Sequence, residues 1–204
     1  MKVDEWLSFF KKYHHKKLFS LSDLEVLTGI SKKNLSVQLN RLITSDVLKR
    51  PVRNWYENPF NTPTIEEIAM VLKSPCYLSM EYALYKHDII SQQIQIVTII
   101  STRLPYTYEV NSHVLEVHQI KKSLFWGFQK QGNIQLADPE KALLDFIYIR
   151  YTHHNKLPKQ YIQSFLDSMY LEELQSRKLQ YYAKRFDQRT KAFIKEHVLG
   201  KTGG

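Results

Sequence analysis

The 204-residue chain carries 29 Lys and Arg against 20 Asp and Glu, a formal net charge of +9, and its 43% hydrophobic content supports one large folded domain or two small ones rather than a disordered chain. The longest apolar run, Ile94 to Ile100, is interrupted by Gln95 and Thr98 and falls well short of the roughly 20 residues a membrane-spanning helix needs. The single cysteine, Cys76, excludes internal disulfides and cysteine-based zinc modules, and with no activating neighbour it reads as a small core residue.

A basic balance points to a polyanionic partner, and the location of the charge says more than its sum. Residues 1–60 hold 11 Lys and Arg against 6 Asp and Glu, residues 61–144 hold 7 against 8, and residues 145–204 hold 11 against 6. Two basic ends therefore flank a neutral middle. The opening MKVDEWLSFFKKYHHKK puts acids and Trp6 where a secretion signal needs a basic and then an apolar stretch, so a cytoplasmic protein is expected.

In chain order, Trp6, Leu7, Phe9, Phe10 and Tyr13 recur at spacings of three and four and predict an amphipathic helix over 4–16. Ser20 or Ser22 caps a second helix with Leu24, Val26 and Leu27, which stops at Gly29, a residue free to adopt positive φ. Ser31 caps a third helix to about Ser45. Leu35, Leu39, Leu42 and Ile43 share one sector of it, while Lys33, Val37, Asn40, Arg41 and Thr44 lie opposite. One face packs and the other is offered. Three helices with a glycine turn before the last match the tri-helical helix-turn-helix, whose final helix lies in a major groove. Val47–Lys49 then reads as a short strand, RPVRN as a turn bearing Arg50 and Arg53, and Trp55–Glu57 as the returning strand, together forming a wing.

The Pro- and Asn-rich segment ENPFNTPT is the expected domain boundary. Thr64 with Glu67 predicts a capping box opening a helix through Leu72, and a further short helix starts at Ser79 with Tyr82, Ala83, Leu84 and Tyr85. From Ile94 to Leu136 the segments IQIVTIIST, YTYEV, VLEVHQI, LFWGF and IQLA predict a small mixed sheet, with KQGN as a turn. Asp138 and Pro139 begin a helix whose Ala142, Leu143, Phe146, Ile147 and Ile149 pack on that sheet. Helices over Lys159–Met169 and Leu171 to about Val198 complete the chain, and the terminal GKTGG reads as disordered.

YLSMEYALYKHDII, IVTIISTRLPYTYEV, FWGFQ and above all IQLADPEKALLDFIY resemble segments of the AbiEi-type antitoxin and transcriptional regulator family of abortive-infection systems. Ala137 through Asp145 is similar to that family's PEKALLD signature, and the resemblance extends over about residues 5–170. It implies an α+β protein: a winged helix-turn-helix over 1–60, then a mixed α/β antitoxin domain over 61–200 with its sheet at about 94–136 and a helical tail at about 138–198. It also implies a repressor of its own operon that counteracts a nucleotidyltransferase-like toxin encoded beside it, with no enzymatic activity and no cofactor.

On this reading the operator-facing residues are Ser31, Lys32, Lys33, Asn34, Val37, Asn40, Arg41, Arg50 and Arg53. Lys32 and Lys33 lie in a first helical turn, where backbone donors also favour phosphate. Arg41 suits phosphate or guanine; Asn34 and Asn40 can offer an amide to adenine, and Val37 can pack on a thymine methyl or against the wing. Arg50 and Arg53 suit phosphates. Two copies on an inverted repeat are expected, because one small winged domain buries little surface. The rival reading is an interaction module that does not bind DNA and neutralises a toxin through its second domain.

Other chemistry finds less support. Asp138, Glu140 and Lys141 bring a metal nuclease to mind, but adjacent side chains at a helix start diverge, and an acidic first turn matches the helix dipole. The adjacent pairs His14/His15 and His153/His154 do not converge on one ion and read as surface residues. YLSMEYALY and FWGF read as core aromatics, and the tail KLQYYAKRFDQRTKAFIKEH as an apolar stripe with a solvated basic face that could meet DNA, RNA or an acidic protein.

Overall fold

The computed structural model describes residues 1–153 and 157–203. The chain is mixed α+β and divides into two compact units, Met1–Ile68 and Ala69–Gly204. No helix among the described residues is long and apolar enough to cross a membrane.

The first unit contains α1 (Val3–Lys12), β1 (Leu18–Ser20), α2 (Leu21–Thr28), α3 (Lys32–Thr44) and β2 (Trp55–Glu57). Its core is one cluster of Trp6, Phe10, Phe19, Leu24, Leu35, Leu39, Leu42, Leu48 and Tyr56, to which each helix contributes one apolar stripe. The strand expected at Val47–Lys49 does not form. Asp46 turns the chain back at φ 56°, and the Val47 and Leu48 amides both donate to Leu42 O (2.9 and 3.2 Å), closing the end of α3 instead of joining a ladder. β2 pairs antiparallel with β1, a three-residue strand the sequence reading missed, in the register Leu18↔Glu57, Phe19↔Tyr56 and Ser20↔Trp55. Only the Glu57 amide reaches back to Lys49 O (3.0 Å).

The segment ENPFNTPT is tied into the first unit through Asn58. Asn58 is fully buried, and its Nδ2 donates to the carbonyls of Phe10 (3.2 Å), Tyr13 (3.1 Å) and Lys16 (2.9 Å), closing the C-terminal end of α1. Thr64 and Glu67 form the expected capping box at the start of α4 (Ile65–Leu72), and Glu67 also binds Lys17 Nζ at 2.9 Å. The division between the units falls inside α4.

In the second unit, β3 (Cys76–Leu78) and α5 (Met80–Lys86) precede β4 (Ile96–Ser101), β5 (Tyr106–Val110), β6 (His113–Gln119), β7 (Phe128–Gln131) and β8 (Ile134–Ala137). These strands form a six-stranded mixed sheet of order β5-β6-β4-β3-β8-β7. The second strand the sequence reading missed, β3, lies inside the sheet, antiparallel to β4 and parallel to β8. It holds Cys76 as a core residue, and burial pushes the thiol up to about 11. LFWGF is mostly not strand: Lys122–Leu124 form a 3-10 turn, and Gly127 takes φ 76° and accepts from the Asp138 amide (2.9 Å) before β7 begins.

α6 (Pro139–Ile147) packs against α5, passes into a π-helical stretch (Tyr148–His153), and is followed by α7 (Lys159–Asp167). The single tail helix expected from Leu171 is instead a 3-10 turn (Leu171–Glu173), α8 (Ser176–Ala183) and α9 (Gln188–His197). The break is set by Asp187, whose Oδ1 accepts from the Thr190 amide (2.8 Å) as the N-cap of α9, and by Phe186, which is buried at the bend. Residues 200–203 of GKTGG are not loose: Leu199–Lys201 form a turn, and Gly203 O accepts from the Ser176 amide (3.2 Å), while Gly204 lies outside the described residues.

Candidate nucleic-acid interface

The geometry of α3 follows from its neighbours. Ser20 Oγ accepts from Asp23 N (3.0 Å), and Asp23 Oδ2 accepts from Ser20 N (2.8 Å), a reciprocal box that starts α2. Gly29 ends α2 in the left-handed region at φ 70°, a conformation that permits the short turn into α3. Leu35, Leu39 and Leu42 are then buried, each contributing about 1.5–3 kcal/mol of apolar transfer, which fixes the rotation of α3 about its axis. In α2 only Leu24 joins them, whereas Val26 remains 81% exposed.

With that rotation fixed, Lys33, Asn34, Val37, Asn40 and Arg41 are all exposed, Val37 at 52%. The surface combines two cations, two amides and one β-branched apolar group. Lys33 and Arg41 form no ion pair among the described residues, so their charge is free for an external anion.

The remaining expected residues divide. Ser31 is exposed and occupies the N-cap position of α3, but its side chain makes no capping bond, contrary to the expectation; the adjoining donor, the Lys32 amide, is taken by Glu25 Oε1 (3.3 Å). Lys32 Nζ also lies 3.5 Å from Glu25 Oε2, so part of its charge is spent within the protein. Arg50 is exposed but lies ahead of the tight turn, near the Tyr56 hydroxyl, whose pKa burial raises and the charge of Arg50 partly restores. Arg53 occupies that turn, where Trp55 N donates to Val52 O (3.1 Å), and is exposed. The Glu25–Lys32 clamp had a sequence signal in its opposite charges across the α2–α3 turn; the approach of Arg50 to Tyr56 had none.

The conspicuous polar cluster of the second unit is enclosed. Lys141 and Asp145 are both fully buried and paired with each other; Lys141 Nζ donates to Tyr77 OH (2.8 Å), while Tyr77 OH (2.9 Å) and Ser79 Oγ (2.8 Å) donate to Asp145 Oδ2. The Lys141 ammonium also lies 5.3–5.4 Å from the ring centroids of Tyr77, Trp126 and Phe186. Burial pushes the lysine down and the aspartate up, and their attraction opposes both shifts. Gly127 makes room for this lysine: a Cβ there would meet Lys141 Cγ at 2.9 Å.

Asp138 and Glu140 turn away from Lys141, as adjacent positions require, but they do more than face the helix dipole. Both reach Lys178 on α8 (3.3 and 3.0 Å), and Glu140 is buried. This cluster therefore lacks the open acids a metal nuclease needs, and no group of three or more metal-ligating side chains occurs among the described residues. His14 and His15 are exposed, whereas the pair His153/His154 falls outside the described side chains. The i, i+4 opposite charges in the otherwise apolar PEKALLDFI were the available signal for the buried pair.

Compared with models of known protein families and with curated protein sequences, the chain matches none.

Proposed function

We propose that the protein is a DNA-binding transcriptional repressor whose first unit is a winged helix-turn-helix, and that it serves as the antitoxin of a toxin-antitoxin or phage-defence system of the AbiEi type. The observation behind the DNA reading is the two-faced α3: three leucines buried on one side, and Lys33, Asn34, Val37, Asn40 and Arg41 exposed on the other. Two free cations attract phosphate without regard to sequence, and two amides and a methyl-bearing side chain have the chemistry to distinguish base edges. Arg53 in the tight turn adds a further phosphate contact.

In this reading two copies occupy an inverted repeat in the protein's own promoter, each with α3 in a major groove. The antitoxin role, directed against a nucleotidyltransferase-like toxin, and the cytoplasmic setting follow from the resemblance of the Ala137–Asp145 segment to the family signature. The test is a gel-shift titration on the promoter upstream of the gene. Lys33→Ala with Arg41→Ala lowers affinity by about tenfold or more, and wild-type affinity falls by orders of magnitude between about 50 and 200 mM salt if about six phosphates are neutralised. Unchanged binding by the double variant refutes the placement of α3.

A further inference from the structure

The π-helical stretch Tyr148–His153 interrupts the α-helical course of α6 and carries Arg150, whose carbonyl accepts from the Leu157 amide (3.0 Å). Such widened turns recur at functional sites, where they redirect a side chain. Here Arg150 Nε donates to Glu81 Oε1 (2.8 Å) and Nη2 to Glu116 Oε2 (3.2 Å). One guanidinium thus serves two carboxylates. His118 Nε2 is 3.2 Å from the same oxygen of Glu116, and among the described residues no cation besides Arg150 is paired with Glu81. Glu81 Oε2 is buried and accepts no hydrogen bond among the described residues, whereas about nine in ten buried polar groups have a partner.

Glu81 and Arg150 line a cleft of about 470 Å³, within the range of small-molecule sites. Its wall is largely apolar. Phe146 and Phe165 meet with ring centroids 5.1 Å apart, and Ile96 and Tyr161 face the cleft while remaining 38% and 57% exposed.

We propose that this cleft binds a small organic amine with a flat aromatic body, its ammonium paired with the Glu81 carboxylate and its ring lying against Tyr161 and Phe165. The charge of the site selects the ligand. An anion would have to compete with two carboxylates for Arg150, and a neutral molecule would leave the surplus carboxylate charge uncompensated. A bare divalent cation needs several oxygen ligands, which aromatic walls do not supply. An organic ammonium offsets the carboxylate charge and gains attraction from the aromatic faces.

The site does not depend on the DNA reading, and its test contains no DNA, so the two can fail separately. Phenethylamine and its neutral counterpart 2-phenylethanol are titrated against the full chain by calorimetry and saturation-transfer NMR. The amine is expected to bind at least about tenfold more tightly than the alcohol, and Glu81→Gln to remove that preference. Tyr161→Ala, on the exposed wall, weakens the amine several-fold and serves as the second variant should Glu81→Gln fail to fold. Equal binding of amine and alcohol, undiminished amine binding in Glu81→Gln or Tyr161→Ala, or no binding of the amine at about 10 mM overturns the assignment.

Discussion

The Lys141–Asp145 pair makes the sharpest energetic prediction, because its two halves have unequal support. In Asp145→Leu the ammonium stays buried with one oxygen acceptor, Tyr77 OH, and three aromatic rings, and an uncompensated charge of this kind costs about 3–5 kcal/mol. In Lys141→Met the carboxylate retains two hydroxyl donors, Tyr77 and Ser79, and can escape its charge by taking up a proton, which holds the cost to about 2–3 kcal/mol at neutral pH. Its folded pKa then stands above the ordinary value of 3.8. An acid with a raised folded pKa is destabilising once pH exceeds its unfolded value, so Lys141→Met regains stability on acidification from pH 7 toward 4. The double variant Lys141→Met/Asp145→Leu removes both charges and costs less than Asp145→Leu alone, because the residual penalty is two hydroxyls without a charged partner. Urea unfolding followed by the fluorine resonance of 5-fluorotryptophan at Trp126, whose ring faces the ammonium, reads the unit directly. Additive single costs in the double variant, or an Asp145→Leu cost below about 1 kcal/mol, would refute a charged, mutually dependent pair.

Glu116 is held at about 2, chiefly by the hydrogen bond with His118 and then by the charge of Arg150, with burial opposing. An acid with a depressed folded pKa contributes stability above its unfolded value of about 4.5 and loses it as pH falls toward 2. The full shift corresponds to about 3 kcal/mol, which screening at a side chain 26% exposed reduces to about 1–2 kcal/mol. Urea midpoints from pH 7 to 2.5 should therefore fall less steeply in Glu116→Gln than in the wild type; parallel curves contradict the assignment. Asn58→Ala removes one amide that serves three carbonyls at the end of α1 and is expected to destabilise the first unit by about 2–3 kcal/mol, measured by thermal unfolding; a loss under about 0.5 kcal/mol would mean that water replaces the bonds without cost.

The elements legible in the sequence are those whose causes lie within three or four residues. Ser20 capping α2, Gly29 ending it, the leucine stripe of α3, the Thr64–Glu67 box and Pro139 at the start of α6 each depend on neighbours one helical turn away. The exposed face of α3 was therefore legible too, since burying Leu35, Leu39 and Leu42 leaves Lys33, Asn40 and Arg41 only the other side.

Tertiary structure decided what depends on partners far along the chain. A three-residue strand has no period to detect, so β1 and β3 exist because Glu57, Ser101 and Leu136 come to lie beside them. Val47 and Leu48 have strand-forming side chains, yet their amides were claimed by the end of α3. The same holds for charge: composition counts Lys141, Lys178 and Arg150 with the basic residues of the surface, but packing sets the first in a closed aromatic cage and the others on carboxylates. Amino-acid order determined which way each helix could face, and non-local pairing, where the reward comes only after chain entropy has been lost, decided which polar groups stayed free to meet another molecule.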